Sequence, residues 1–280
     1  MHNISKVSIH GGHSGEFCHH ATDRLEEMIQ KYIHEGFEWV GITEHIPPPT
    51  NDLRYQDEID DQLDCSFLMQ RFLHYIQKGK ALKDQYQDQI SLYIGFETET
   101  YTGYEQHIKT LVTKCQPDYM VGSVHHVNDI NFDYSPEEYD RAIRKSGDII
   151  QLYSNYFDIQ YDMIQKIQPQ VIGHFDVVRL YDPLYERTLR TPLIEQKINR
   201  NLKLIRSQNM ILDFNLRSLY KGADEPYISR PILKQALSMG IPVVPGDDSH
   251  GLETVGLNIE KGIRLLQSMG GDTRWQRPVS

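Results

Sequence analysis

Short apolar segments rich in β-branched residues recur along the chain, and each is followed by a longer segment with helical periodicity. The apolar segments predict seven strands, at residues 6–10, 38–43, 91–97, 119–124, 171–174, 210–214 and 242–246. The segments between them predict helices at residues 23–34, 57–85, 104–114, 136–167, 193–208, 229–239 and 259–269. We expect Asp23 and Glu26 to cap the first of these helices.

The alternation of strands and helices predicts βα units and a parallel sheet. Closure of this sheet gives a (β/α) barrel, but an open doubly wound sheet fits the same pattern almost as well. The chain has 280 residues, of which 39% are hydrophobic and 24% charged, and it contains no linker-like tract. We therefore expect an ordered α/β protein with a single domain over residues 1–280.

Composition limits the classes of binding partner and the cellular compartment that can be predicted for the chain. The formal net charge of −10 argues against a general nucleic-acid binder, because an acidic surface repels phosphates. The chain has no apolar run of about 18 residues, and its first residues, MHNISKV, lack the apolar core of a secretory signal. We predict a cytoplasmic protein with no membrane partner, and a homo-oligomer remains open. Three widely separated cysteines argue against a disulfide framework.

Each predicted strand has a side chain that can bind a metal at its end or just beyond it. In strand order, these side chains are His10, His13 and His20; His45; Glu97 and Glu99; His125 and His126; His174 and Asp176; Asp213 and Asn215; and Asp247, Asp248 and His250. The ends of parallel strands meet on one face, where we expect a basin of imidazoles and carboxylates. A single such histidine is more often structural, but seven strand ends together favour a metal site. Buried clusters of these groups are costly unless they are paired or metal-bound.

The residue types limit the chemistry of such a site. Neutral imidazoles suit zinc, manganese or iron, and a carboxylate can bridge two ions. Two ions about 4 Å apart can hold a shared hydroxide as a nucleophile and neutralise phosphate oxygens. The sequence contains no G-x-x-x-x-G-K-[ST], G-x-G-x-x-G or G-x-S-x-G segment. This weakens the nucleoside-triphosphate, dinucleotide and serine-hydrolase alternatives.

Six segments resemble, in order, the successive motifs of the PHP (polymerase and histidinol phosphatase) superfamily. They are HGGHSGEFCHHA, TEHIPPP, GFETE, VGSVHHVN, VIGHFD and DDSHG. The resemblance extends over residues 10–256, and SVHHVN, GHFD, EPYISRP and DDSHG are most similar to the histidinol-phosphatase branch. It implies a distorted (β/α)7 barrel, in agreement with the seven predicted strands.

The resemblance also implies a centre of three divalent metal ions, of zinc, manganese or iron. The ligands implied for the first ion are His10, His13, Glu97 and Asp248. The second ion would share Glu97 and add His125 and His174. The ligands implied for the third ion are His20, His45 and His250. Within this set, the residues expected to be catalytic are Glu97, Asp248 and His250.

The first motif departs from the superfamily's usual His-x-His pattern, because it reads His10-Gly11-Gly12-His13. In a regular strand, this odd spacing points the two imidazoles to opposite faces. The two glycines can supply a bulge or a turn that brings both histidines to one ion. Both therefore remain candidate ligands.

A phosphomonoester also needs positive charge for its non-bridging oxygens. Arg179 and Arg217 follow strand ends on the expected active face, and arginine suits bidentate phosphate recognition. His126 directly follows an implied ligand. We predict these three residues to bind substrate, although a surface ion pair fits each arginine equally well and His126 could instead orient a ligand. The leaving oxygen could receive its proton from Asp247, His126 or a metal-bound water.

The resemblance implies hydrolysis of L-histidinol phosphate to L-histidinol and phosphate, a step of histidine biosynthesis, through attack by a metal-bridging hydroxide. The alternative is another PHP phosphoesterase that acts on a nucleotide, a sugar phosphate or a phosphoprotein. A non-catalytic metal-binding module is a third interpretation, which the near-complete ligand set disfavours.

Overall fold

The computed structural model describes residues 5–279. Positions 1–4 and 280 lie outside the described residues. The first four residues of MHNISKV, the segment on which the prediction of the compartment rests, are among them. The described strands are β1 Lys6–Ser8, β2 Phe37–Ile42, β3 Ser91–Ile94, β4 Phe96–Glu97, β5 Met120–Gly122, β6 His126–Val127, β7 Ile130–Asn131, β8 Val171–Ile172, β9 Ile211–Asn215 and β10 Val243–Gly246. The α-helices are α1 Leu25–His34, α2 Gln56–Asp60, α3 Cys65–Gln85, α4 Tyr104–Cys115, α5 Pro136–Ser146, α6 Ile149–Ile167, α7 Tyr185–Leu189, α8 Pro192–Ser207, α9 Arg217–Tyr220, α10 Arg230–Ser238 and α11 Ile259–Ser268.

Parallel strands from all seven predicted segments form a closed barrel. One sheet has the order β1-β2-β3, and the second has the order β10-β9-β8-β5-β4. β3 and β4 together correspond to the single strand predicted at residues 91–97, which Gly95 divides. At one junction between the sheets, the Glu97 amide donates to the Glu44 carbonyl at 3.0 Å. At the other, the Ile9 amide donates to the Pro245 carbonyl at 2.9 Å. The barrel prediction is therefore confirmed, and the open sheet is not the observed form.

The barrel interior is apolar towards the N-terminal ends of its strands. The side chains that fill it are Val7, Ile9, Trp39, Tyr93, Tyr119, Val121, Val171, Ile211 and Val244. The strands turn alternate side chains inwards, and the opposite faces pack against the helices in a separate, larger core. Trp275 from the C-terminal segment packs against this interior and donates through Nε1 to the Ser5 carbonyl at 2.9 Å.

Two of the predicted helices are each divided in the structure. The helix predicted at residues 57–85 is divided into α2 and α3, and Asp64 begins α3 by accepting a hydrogen bond from the Phe67 amide at 2.8 Å. The helix predicted at residues 136–167 is divided at Gly147, whose φ of 110° ends α5. Asp148 then caps α6 by accepting from the Gln151 amide at 2.7 Å. Periodicity alone did not reveal these breaks, because the apolar pattern continues across both of them.

The predicted cap of the first helix is wrong by one residue. Arg24 precedes α1, and its amide donates to the Glu27 carboxylate at 3.1 Å. Asp23 instead has a φ of 64° and accepts a hydrogen bond from the Leu252 amide at 2.8 Å. The Asp23 carboxylate, which the sequence predicted to cap the first helix, therefore binds the distant Leu252 amide instead.

A short antiparallel hairpin, β6–β7, has no counterpart among the predicted elements. Asn128 and Asp129 form its two-residue turn, with φ values of 55° and 59°. Both residue types tolerate the left-handed conformation that this kind of hairpin turn requires. The sequence signal was thus the Asn-Asp pair between two apolar residues.

No helix in residues 5–279 combines the length and the apolar character needed to cross a bilayer.

Candidate metal centre

Glu97 lies at the centre of the polar end of the barrel. It ends β4, and its side chain is almost completely buried. One carboxylate oxygen, Oε1, lies 2.8 Å from His174 Nε2 and 3.1 Å from His125 Nε2. Three further imidazole nitrogens approach the other oxygen, Oε2, within 3.2–3.6 Å, and they belong to His10, His13 and His45. The structure therefore brings the histidines from four strand ends to one carboxylate.

The Gly11-Gly12 pair lets His10 and His13 face the same carboxylate. Their Nε2 atoms lie 3.2 and 3.6 Å from Glu97 Oε2. The Gly11 amide donates to the Gly41 carbonyl at 2.8 Å, and a Cβ atom at Gly11 would clash with that same carbonyl. The absence of a side chain thus permits the close approach that bends the strand end. His10 points into the cluster and not away from it.

Asp248 approaches the cluster from the loop after β10. Its Oδ1 atom lies 3.4 Å from His13 Nε2 and 3.5 Å from His250 Nδ1. Asn215 donates to Oδ2 at 3.0 Å, and the Asp248 amide donates to the His10 carbonyl at 2.9 Å. The φ of Asp248 is 47°, an uncommon backbone conformation that these contacts stabilise.

A second group of imidazoles lies beside the first. One ring nitrogen from each of His20, His45 and His250 lies within 4.8 Å of the others, so the three could hold one ion. The ring of His20 stacks on that of His250 at 5.1 Å between centroids. This is the set that the family resemblance implies for the third metal. His10, His13 and Glu97 satisfy the same criterion, as do His10, His174 and Asp248.

Two of these imidazoles are held in the neutral form that binds metal ions. Burial, reinforced by the neighbouring His45, lowers the pKa of His13 to about 4. Burial also lowers the pKa of His250 well below the ordinary histidine value, and His13 and Arg217 nearby lower it further. A neutral imidazole offers a free lone pair, so these side chains need not lose a proton before they bind a cation.

Opposite charges dominate around Glu97. Burial disfavours its ionised form, but His10, His45 and His125 hold the pKa of its carboxyl well below the usual range. Burial likewise disfavours a charged His10, yet Glu97 and Asp248 raise its pKa well above the usual range. Protons on the imidazoles therefore balance the buried carboxylates here, and a bound metal cation would supply the same positive charge in their place.

The donor set fits divalent metal ions. Buried atoms that make no hydrogen bond within residues 5–279 include His10 Nε2, His13 Nδ1, His13 Nε2, His45 Nδ1 and His174 Nδ1. Buried polar atoms are costly without a partner, and a metal ion satisfies several of them at once. Imidazole nitrogens combined with carboxylate oxygens suit zinc, manganese or iron.

A model of the PHP domain family matches residues 11–217 of the chain. The chain belongs to this family. The matched segment includes His13, Glu97 and His174, whereas Asp248 and His250 lie beyond it. The structure shows that both of these later residues return to the same cluster.

Known proteins support the assignment to the PHP family, and three that are similar to the chain are named as histidinol phosphatases. A protein from Schizosaccharomyces pombe, named as a probable histidinol-phosphatase, is 37% identical over 269 residues, which cover 94% of this chain and 87% of the relative. The crystal structure of HisK from Listeria monocytogenes superposes with a TM-score of 0.80 at 25% identity, covering 91% of this chain and 99% of that one. Histidinol phosphate phosphatase from Lactococcus lactis, in complex with zinc, L-histidinol and phosphate, has the same fold, with a TM-score of 0.73 at 19% identity and coverage of 96% and 95%.

In this PHP domain, a cavity of about 220 Å³ opens onto the cluster. Its lining includes Glu97, His125, His174, Asp248 and His250, and it also includes Arg217 and Lys221. Arg217 donates to the Asp248 carbonyl at 3.0 Å and leaves most of its donors free. Of the two arginines predicted to bind substrate, Arg217 is therefore the one that the structure places at the cavity.

The other two predicted substrate-binding residues lie elsewhere. The guanidinium of Arg179 is buried outside this lining and donates to the Pro226 carbonyl at 2.7 Å. His126 lines a neighbouring cavity that also contains His20 and His45, and its Nδ1 atom lies 3.1 Å from Glu99 Oε2. Asp247, a candidate proton donor, accepts hydrogen bonds from Ser8 of β1 and Tyr32 of α1. None of the three lines the 220 Å³ cavity that contains Glu97, His174 and Asp248.

Residues that sequence reasoning did not select also line this cavity, and four of them are Asp133, Tyr55, Asn131 and Tyr227. Asp133 accepts at 2.8 Å from His125 Nδ1, and so fixes the imidazole that faces Glu97. Tyr55 donates to Glu99 at 2.6 Å and packs against His20. All four lie on loops or on the short hairpin, where strand-end reasoning gives no signal.

Proposed function

We propose that the chain is a metal-dependent phosphomonoesterase that hydrolyses L-histidinol phosphate to L-histidinol and phosphate. The observation that carries the proposal is the convergence of five imidazoles on the Glu97 carboxylate, at the base of a cavity that also exposes two cationic side chains. The names of the relatives and the ligands in the Lactococcus lactis structure support the choice of substrate.

Three divalent ions, of which zinc is the first candidate, are proposed to occupy the cluster. The residues that would hold them are His10, His13, Glu97 and Asp248; Glu97, His125 and His174; and His20, His45 and His250. The distances to Glu97 and the grouping of His20, His45 and His250 within 4.8 Å support this division. When bound, such ions supply an activated water for attack on phosphorus and positive charge for the phosphate oxygens.

The chain's own residues are proposed to orient the phosphate ester. Arg217 and Lys221 line the cavity next to the cluster, so their charges can pair with the non-bridging oxygens. The side-chain amide of Asn215 donates to both Asp213 and Asp248, at 3.0 Å from each acceptor. It therefore fixes the orientation of Asp248 as a proposed metal ligand. Most of the cluster is buried, and the low dielectric of this buried surrounding strengthens these electrostatic contacts.

A substrate panel tests the proposal. The purified, metal-loaded chain is assayed with histidinol phosphate, p-nitrophenyl phosphate, a nucleoside monophosphate, a sugar phosphate and a phosphopeptide. We expect kcat/KM for histidinol phosphate to exceed the other values by at least about tenfold, because the relative from Schizosaccharomyces pombe is named for this activity and the Lactococcus lactis structure holds its two products. Equal or better hydrolysis of another ester would reject the proposed substrate.

Metal analysis and two variants test the proposed centre. Elemental analysis of protein purified without added metal is expected to show up to three ions per chain. His174→Ala and Asp248→Ala are expected to lose bound metal and activity together, whereas His34→Ala, at the exposed end of α1, is the matched control. Full turnover by chelated protein would contradict a metal-dependent mechanism.

A further inference from the structure

Arg179 occupies a buried aromatic clamp behind the cavity wall. Its guanidinium carbon lies 4.8 Å from the ring centroid of Tyr185 and 4.8 Å from that of Tyr227. The same group donates to the backbone carbonyls of Glu225 and Pro226, at 3.2 and 2.7 Å. Its Nη2 donors are therefore already engaged by the protein and its Nε faces Asp176, which leaves the group poorly placed to bind phosphate.

These contacts fix the loop before α10. The Asp176 carboxylate lies 3.4 Å from Arg179 Nε and accepts a hydrogen bond from the Ser229 amide at 2.9 Å. Tyr227 also pairs with Asn215 through two backbone hydrogen bonds, of 2.6 and 3.1 Å. The loop is thus held on one side by the end of β8 and on the other by the end of β9.

Tyr227 is the residue that this loop presents to the cavity. Its side chain lines the cavity, and its ring centroid lies 6.4 Å from that of His174. The residue is 3% exposed, and its hydroxyl has no hydrogen-bond partner within residues 5–279. Buried tyrosine hydroxyls ordinarily have a partner, so a bound molecule is the natural candidate for this one.

We infer that the Tyr227 hydroxyl donates a hydrogen bond to the phosphate group of the substrate and that Arg179 is the positioning residue that holds Tyr227 in place. The inference rests on the proposed phosphomonoesterase function. Tyr227 adjoins His174, a proposed metal ligand, and lines the same cavity, so a phosphate bound at the cluster would lie beside this tyrosine. Arg179 then acts through Tyr227 and does not touch the substrate.

The first test compares two variants that each remove one unpartnered phenol hydroxyl. Tyr227→Phe is expected to lower kcat/KM by roughly 10–100-fold, the range for a hydrogen bond to a charged group, with metal content unchanged. Tyr104→Phe is the matched control, because the Tyr104 hydroxyl is also buried without a partner but does not line this cavity. Equal activity of both variants and the wild type would overturn the inference.

Two readouts separate this inference from the proposed substrate. Histidinol phosphate and p-nitrophenyl phosphate are assayed in parallel, and the Kd of inorganic phosphate is measured on the metal-loaded protein. Tyr227→Phe is expected to weaken phosphate binding and to slow both esters. If the wild type hydrolyses only the aryl ester, the proposed substrate fails, and the Tyr227 comparison is decided on that ester. An unchanged phosphate Kd together with unchanged kcat/KM would contradict the contact.

A double-mutant cycle tests the role of Arg179. If Arg179 acts through Tyr227, Arg179→Met is expected to lose about as much activity as Tyr227→Phe, and the double variant to lose little more. Losses that multiply in the double variant would show that Arg179 contacts the substrate independently and would overturn the positioning role. Arg179→Lys, which keeps the charge but not the planar fork, replaces the Met variant if the latter does not fold.

Discussion

At one end of the barrel the strands turn Trp39, Tyr93 and Val121 into an apolar interior, and at the other end the same inward face carries His45, Glu97 and His125. Each polar residue lies an even number of positions after its apolar partner, so the alternation of the strand continues into the site. The apolar end excludes water and stabilises the fold. The polar end collects groups that are costly to bury unless a cation joins them.

The comparison teaches that stability and function are separated along the barrel axis. A substitution at the apolar end is expected to change the free energy of unfolding while leaving the site intact in the folded fraction. A substitution at the polar end is expected to change metal binding and turnover. Four predictions test this separation, in order of decreasing effect.

Replacement of the central carboxylate is expected to have the largest effect. Glu97→Gln keeps the size of the side chain but removes the charge that faces five imidazoles. We expect kcat/KM to fall on the order of 10³-fold, with fewer bound ions by elemental analysis. Glu38→Gln, an exposed glutamate on β2, is the control and should behave as the wild type. Retention of a full metal complement by Glu97→Gln would remove this carboxylate from the proposed centre.

The second prediction concerns the apolar end of the barrel, where a substitution that creates a large cavity is expected to lower stability but not turnover. Trp39 is one of the largest fully buried side chains, and Trp39→Ala is expected to cost about 3–5 kcal/mol of unfolding free energy. Chemical denaturation measures the loss, and Phe67→Ala, at a half-exposed position on α3, should change it by less than about 0.5 kcal/mol. The kcat of the folded fraction is expected to stay near the wild-type value. A site that loses its metal in Trp39→Ala would show that the two ends are coupled.

Asp133 tests how far the polar end extends beyond the proposed ligands. It accepts from the Nδ1 atom of His125 at 2.8 Å and so orients the ring whose other nitrogen faces Glu97. Asp133→Asn is expected to weaken metal affinity or activity by about 10–100-fold, measured by competition with a chelating dye and by steady-state kinetics. The nearby Asp129→Asn, in the hairpin turn, is the control. Equal metal affinity in both variants would argue against an orienting role.

The smallest effect is expected at the closed end of the barrel. Trp275→Phe keeps an aromatic ring against the apolar interior but removes the hydrogen bond from Nε1 to the Ser5 carbonyl. We expect a loss of about 1 kcal/mol in unfolding free energy and no change in kcat/KM. A measurable loss of turnover, with stability intact, would contradict the separation of the two ends.

Much of the candidate site could be predicted because its signals are local. Strand ends and the residues just after them are visible in the apolar pattern, and His45, His125 and His174 follow from it directly. The residues on loops could not be predicted in this way. Tyr55, Asp133 and Tyr227 reach the cavity from segments without periodicity, and only the folded chain brings them to it.

The sequence by itself determined the seven strands, their parallel arrangement and the residue types at their ends, because alternation and strand–helix spacing are properties of short segments. Only the tertiary structure decided that His10 and His13 face the same carboxylate, since this depends on the close approach of Gly11 to Gly41. It also decided which arginine faces the cavity. Arg179 and Arg217 follow strand ends alike, but two tyrosines enclose the first and leave the second open to the cluster.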